Sequence, residues 1–281
     1  MTTAPTPSAP LRGRTILMSG GSRGIGLAIA VRAARDGANV ALLAKTAEPH
    51  PKLEGTIHTA AAEIDAAGGV ALPIVGDVRD EQSIADAVAR TVEAFGGIDI
   101  VVNNASAIDL SKSTELAVKK FDLMQQIEVR GTFLLTRAAI PHLRASSHAH
   151  ILTLSPPLNL SQKWLGANVG YMLAKYGMTL AALGFAAELA PDGIASNTLW
   201  PRTIIATAAV QNLLGGDEAM AKSRTPEIMA DAAYAILSRP PAEQTGEQLI
   251  DDEVLAAAGI TDLSPYQHGD GSELIPDIFI D

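Results

Sequence analysis

The stretch Thr15–Asp36, TILMSGGSRGIGLAIAVRAARD, constrains the rest of the chain more than any other. Its apolar run Ile16–Met18 suits a buried parallel strand, and Ile25, Leu27, Ala28, Ile29 and Val31 read as the buried start of a helix. Between them Gly20, Gly24 and Gly26 are spaced as G-x-x-x-G-x-G. Such a strand–turn–helix aims backbone N–H groups and the positive end of a helix dipole at one point, where an anion is stabilised. The usual anion is a dinucleotide pyrophosphate. The spacing is not the commoner G-x-G-x-x-G, and an ordinary glycine-rich turn carries similar letters, so other parts of the chain have to decide.

Composition removes several alternatives. A chain of 281 residues with 47% hydrophobic content spread along it can bury a large core. Its net charge of −10 and lack of a basic block argue against nucleic acid or an anionic membrane surface as partner. No cysteine is present, which excludes disulfides, thiolate metal sites and a cysteine nucleophile, and the six histidines include no H-E-x-x-H. No metal site is expected. The opening MTTAPTPSAP lacks an apolar core and reads as a flexible tail over residues 1–10, not as a signal peptide. No apolar run is long enough to span a bilayer. The expectation is a soluble, cytoplasmic protein.

Strand and helix patterns then alternate. Strands are expected at Asn39–Ala44, Val70–Val75, Ile98–Val102, His150–Leu154, Ile194–Trp200 and Gly246–Ile250. Helices are expected at His58–Ala67, Glu81–Phe95, Lys119–Leu143, Asn168–Leu189 and Pro226–Leu237. Pro73 places Val70–Val75 near a sheet edge. Repeated βα units with right-handed crossovers give a parallel sheet covered by helices on both faces. The fold expected is α/β, a single doubly wound Rossmann-type domain over residues 11–281.

Ligands of such sheets lie beyond the carboxyl ends of the strands, which points Ser19–Gly26, Lys45, Asp77, Asn103–Ser106 and Ser155 at one edge. NAD-binding chains place an acid at the end of the second strand to hold the adenosine ribose. Here that position is Ala44–Lys45, and Lys45 with Arg23 suits the 2′-phosphate of NADP instead. Asn103 and Asn104 also suit the plainer task of satisfying backbone groups at a strand end. Tyr171 and Lys175 lie four apart on an expected helix, hence on one face. A phenol near an ammonium is favoured as phenolate, so the pair can exchange a proton with an alcohol or carbonyl oxygen while hydride moves to or from nicotinamide.

With SGGSRGIG at Ser19–Gly26, DVRD at Asp77–Asp80, NNAS at Asn103–Ser106 and YMLAK at Tyr171–Lys175, the chain resembles the short-chain dehydrogenases/reductases from about Leu11 onward. The segments Ala44–Ile64, Ile151–Leu160 and Leu199–Ala209 are most similar to the hydroxysteroid dehydrogenase-like protein 2 subgroup. Animal members of that subgroup carry a sterol-carrier domain after the reductase part; none is read in this sequence, nor is a C-terminal peroxisomal tripeptide. The resemblance implies that Gly20, Gly21, Ser22, Arg23, Gly24, Ile25 and Gly26 hold the pyrophosphate and Lys45 the 2′-phosphate side of NADP. It further implies that Asp77 meets the adenine and Asn104 the adenosine ribose. Tyr171 is then the proton donor or acceptor, and Lys175 both tunes it and bonds the nicotinamide ribose.

Three departures stand out. The family's Ser-Ser pair after the fifth strand is Ser155–Pro156, so Ser155 is the candidate to orient substrate. The family's water-anchoring asparagine is replaced by Glu128, and its Pro-Gly after the sixth strand by Pro201–Arg202. Two functions follow: an NADP-dependent oxidoreductase acting on a carbonyl or secondary alcohol of an apolar small molecule, or a nucleotide-binding sensor or scaffold with little catalysis. Thr203–Thr225 is expected to cover the site. The long helices Lys119–Leu143 and Asn168–Leu189, where the family associates, imply a homodimer or homotetramer.

Overall fold

A computed structural model describes residues 9–49, 54–213, 215–269 and 273–281. Most of the expected N-terminal tail therefore lies outside the described residues. Thr15–Ser19 (β1) is buried at every position and is central in a seven-stranded sheet. The other strands are Asn39–Ala44 (β2), Val70–Val75 (β3), Ile100–Asn103 (β4), His150–Thr153 (β5), Ala195–Trp200 (β6) and Gln248–Ile250 (β7). Their order is β3-β2-β1-β4-β5-β6-β7 and every pairing is parallel. Pro73 sits in β3, at the sheet edge, where its missing N–H costs least.

The two-residue period of the strands divides the core. Ile16, Met18, Leu42 and Val102 face a layer made by Gly24–Ala34 (α1), Ile57–Ala66 (α2), Glu227–Leu237 (α10) and Asp251–Ala257 (α11). Leu17, Ala41, Val101 and Ile151 face Glu81–Phe95 (α3), Gly131–Leu143 (α5) and Val169–Leu189 (α7). Local signals start and stop these helices. Thr56 and Thr59 form a reciprocal capping box at α2, Asp80 accepts from the N–H groups of Gln82 and Ser83 at α3, and Gly96, at φ 84°, ends α3.

The expected continuous helix Lys119–Leu143 is interrupted. Val118–Met124 (α4) passes into a π-helical turn, Gln125–Arg130, before α5 begins. No proline or glycine pair within the turn announces it. Its cause is tertiary: α5 opens at Gly131, where a Cβ would lie 3.1 Å from Val78 Cγ2, and the wider turn carries Glu128 into full burial. Four short helices were not expected from periodicity: Gln162–Leu165 (α6), Ala208–Leu213 (α8), Gly216–Ala221 (α9) and α11. Among the described residues no helix is long and apolar enough to cross a membrane, and no cluster of His, Asp and Glu is arranged to hold a metal ion.

The β1–α1 turn is packed too closely for side chains. Gly20 has φ 76°, and a Cβ there would meet Ala105 Cα at 2.8 Å; at Gly26 it would meet Asn104 Nδ2 at 2.5 Å and the Gly20 carbonyl oxygen at 2.9 Å. Gly26→Ala is expected to destabilise the fold by about 1–3 kcal/mol, read as a lower midpoint in urea unfolding. An unchanged midpoint would show that the turn yields freely.

Candidate functional site

The glycine turn is bound to the loop after β4. Asn104 Nδ2 donates to the carbonyl oxygens of Ser19 (3.3 Å) and Gly20 (2.8 Å), and Ser19 Oγ accepts from the N–H groups of Asn104 and Ala105. The Asn104 amide nitrogen is thus engaged by the turn, and the Asn103 amide bonds Thr136 Oγ1 (3.0 Å). The plainer reading of both asparagines describes these contacts. Arg23 occupies the N-cap of α1 in extended conformation without capping by its side chain, so among the described residues the first amides of α1 have no side-chain cap. They open into a cavity of about 1310 Å³ lined by residues between Gly20 and Ala28, by Lys45 and Asp77, and by Ala206–Leu213 opposite. Uncapped amides, a helix N-terminus and a cavity of this size fit a dinucleotide.

The cationic groups expected for a 2′-phosphate already have partners. Lys45 Nζ lies 3.1 Å from Asp77 Oδ2, and Arg79 grips both carboxylate oxygens of Asp77. The Arg79 bonds, more than Lys45, hold the Asp77 carboxyl below the usual carboxylate range against the effect of burial. Arg23 donates to the carbonyl oxygens of Glu54 and Gly55, at 2.9 and 2.6 Å. Arg79 was not anticipated, although its place two residues after Asp77 suggests a local pair.

Tyr171, Lys175 and Thr179 follow one another along one face of α7. Lys175 is buried; its Nζ donates to the Leu154 carbonyl oxygen (3.2 Å) just past β5 and lies 3.9 Å from Glu128 Oε1. That same oxygen accepts from Ser106 Oγ (2.5 Å) and the Ala107 N–H (3.2 Å), while Glu128 Oε2 has no protein partner. Glu128 therefore joins the NNAS loop to Lys175. Burial raises the Glu128 pKa against the pull of Lys175, and lowers that of Lys175 against the charges of Glu128 and Asp277.

Tyr171, 3% exposed, departs from the expectation of a phenol tuned downward by Lys175. Burial, then the charges of Glu128 and Asp277, push its pKa well above the ordinary value. Neither Tyr171 nor Lys175 lines the large cavity. Over Tyr171 lies the ring of Phe279, nearly parallel at 6.2 Å between centroids. Phe279 belongs to the segment Glu273–Asp281, whose Asp277 is raised to about 7, chiefly by burial. Ser155 is fully buried, and its hydroxyl is hydrogen-bonded to the Thr179 hydroxyl (3.0 Å), two turns further along α7. The Pro156 carbonyl accepts from the same hydroxyl (2.7 Å), so the proline loop fixes Ser155 against the helix.

Residues 14–216 match the family model for short chain dehydrogenases. This chain belongs to the short-chain dehydrogenase/reductase family. It is 55% identical to hydroxysteroid dehydrogenase-like protein 2 of Xenopus tropicalis and 50% identical to the Homo sapiens protein of that name, each over 96% of this chain and 64% of the relative. The chain thus spans a little under two thirds of those relatives. A crystal structure of a short chain dehydrogenase from Mycobacterium thermoresistibile superimposes with a TM-score of 0.92 at 63% identity, covering 96% of both chains. A dehydrogenase structure from Xanthomonas campestris, described as putative, gives 0.93 at 56%, covering 96% and 99%. Carveol dehydrogenase from Mycobacterium avium, in complex with NAD, shares the fold at 23% identity and a TM-score of 0.75 over 86% and 97% of the chains. The family model describes short chain dehydrogenases, and the Mycobacterium thermoresistibile and Xanthomonas campestris structures are both described as dehydrogenases.

After burial, the largest influence on the Tyr171 phenol is the charge of Glu128, a residue outside the motifs that carry the family resemblance. Glu128→Gln keeps an acceptor for Ser106 and Ala107 and removes the negative charge that holds Tyr171 high. Tyrosinate absorbance titrated in the wild type, Glu128→Gln and, to isolate the signal, Tyr171→Phe should place Tyr171 at lower pH in Glu128→Gln. An unchanged position would leave the shift to burial and Asp277.

Proposed function

We propose that the protein is an NADP-dependent oxidoreductase that moves hydride between nicotinamide and a carbonyl or secondary alcohol of an apolar small molecule. The observation carrying this reading is the placement of Tyr171 and Lys175 one helical turn apart on α7, with Lys175 anchored at the end of β5, in a fold whose neighbouring cavity begins at the uncapped α1. Gly20, Gly21, Ser22, Gly24, Ile25 and Gly26 would hold the pyrophosphate, with Lys45 and Asp77 at the adenosine end. When bound, nicotinamide supplies or accepts the hydride at the reacting carbon. Tyr171 gives a proton to the carbonyl oxygen or takes one from the alcohol, and Lys175 supplies positive charge behind the phenol. Ser155 would orient substrate only after giving up Thr179. The buried Tyr171 under Phe279 favours the second reading, a nucleotide-binding protein with little turnover.

Tyr171→Phe separates the two. It removes one hydroxyl, so dinucleotide affinity and fold should persist while reduction of any ketone that the wild type reduces falls by about a hundredfold or more. Retention of most activity would refute proton transfer by Tyr171, and a wild type that binds dinucleotide but reduces nothing across a panel of ketones, aldehydes and quinones would establish the binding role.

For cofactor choice, no acid occupies the end of β2, and Lys45 is more than half exposed, with Asp77 as its carboxylate partner among the described residues. A 2′-phosphate competing with Asp77 for Lys45 should favour NADPH over NADH by about tenfold, the scale of one charge-assisted hydrogen bond. Lys45→Asp should erase or reverse that gap in calorimetry at moderate salt. Equal affinities in the wild type would defeat the assignment.

A further inference from the structure

Both tryptophans of the chain and two of its four tyrosines surround a single phenylalanine. Phe279 lies 5.0 Å from the ring of Tyr176, 5.8 Å from Trp164, 6.2 Å from Tyr171 and 6.4 Å from Trp200. With Ile280 it fills an apolar cluster separate from both faces of the sheet, at the strand ends where Tyr171 stands. Its backbone has φ 71°, left-handed and disfavoured for an aromatic residue. The side chain's seat, and not the backbone's preference, therefore holds this conformation.

The segment Glu273–Asp281 is attached mainly by scattered bonds. The Ile204 N–H donates to the Ile275 carbonyl and the Asp277 N–H to the Arg202 carbonyl, both at 3.0 Å, and only Thr203–Pro276 is a strand-like bridge. Trp200 Nε1 donates to the Ile278 carbonyl (3.0 Å), Trp164 Nε1 to Asp281 Oδ1 (3.0 Å) and Asn159 Nδ2 to Asp281 Oδ2 (2.7 Å). On its outer side lies a hollow of about 350 Å³ between Pro157–Leu160, Arg202, Ile250 and Phe279–Asp281. The segment is thus packed hard on one side and loosely on the other. A substrate oxygen must reach the Tyr171 hydroxyl, and the adjoining apolar space is taken by the protein's own aromatic ring.

We propose that Glu273–Asp281 is a built-in competitor for the substrate site: Phe279 and Ile280 occupy a pocket that, once the segment lifts, takes the flat apolar body of an aromatic ketone or the matching secondary alcohol. Four aromatic walls suit a ring stacked or tilted among them, and Phe279 already shows both geometries. The proposal rests on Tyr171 being the acid/base group, yet binding of an aromatic ketone can be read without turnover. Failure of the competitor and failure of the oxidoreductase reading are therefore distinguishable.

Ile280→Asp tests it by placing a carboxylate where the side chain is 6% exposed, which drives the segment out at little risk to the main core. The two tryptophans report the segment directly through acrylamide quenching of their fluorescence. Expected are stronger quenching and calorimetric binding of acetophenone about tenfold tighter than in the wild type, because the open state no longer has to be drawn from a minor population. Stronger quenching without tighter binding overturns the proposal, as does quenching that does not rise. If Ile280→Asp does not fold, Phe279→Ala decides, titrated with acetophenone and with the bulkier benzophenone. Tighter binding of both supports an opened site. A gain for acetophenone alone marks a void the size of the lost ring, and no gain marks a structural wall; either result overturns it.

Discussion

The close approach of the β1–α1 turn to the loop after β4 positions everything at the working edge of the sheet. β1 is hydrogen-bonded to β2 on one side and β4 on the other, so its end cannot move without moving both. Ser19 and Asn104 staple the two strand ends together, and glycine at positions 20 and 26 is what lets the backbones come that near. From that contact α1 leaves with its first amides unclaimed, and the NNAS loop runs on to Ser106 and Ala107. Those two residues hold Glu128, and Glu128 faces Lys175. The unclaimed amides of α1 and the Tyr171–Lys175 face of α7 are therefore placed by one packed corner.

Burial and charge act in different directions at that corner. Lys175 is desolvated, which weakens its ammonium, and Glu128 restores the charge only by lending a negative neighbour. The same carboxylate disfavours the Tyr171 phenolate. A pair that looks self-sufficient by spacing is in fact a triad of Tyr171, Lys175 and Glu128. Its balance depends on how much water and positive charge reach it. At the end of β2 the balance is different: Asp77 is gripped by Arg79 and shared with Lys45 near solvent.

Segment Glu273–Asp281 adds a second control on the same groups. Phe279 contributes to the burial of Tyr171, and Asp277 contributes negative charge toward both Tyr171 and Lys175. Lifting the segment would hydrate the phenol and remove that charge together.

Residues close in sequence carried much of this. The β1–turn–α1 unit, the alternation of strands and helices, the edge position of Pro73 and the shared face of Tyr171 and Lys175 all follow from period and turn chemistry over a few residues. Family membership was legible for the same reason, since its motifs are short and contiguous. The π turn that buries Glu128, the bond that turns Ser155 toward Thr179, the Asp77 partner of Lys45 and the seating of Phe279 over Tyr171 were not legible. Each joins residues far apart in the chain, and nothing local favours one partner over another. Local periodicity determined which elements form and which side chains share a face. Only the packing of those elements decided which charges meet and which groups lose water, because desolvation and pairing depend on distances in space that spacing along the chain does not encode.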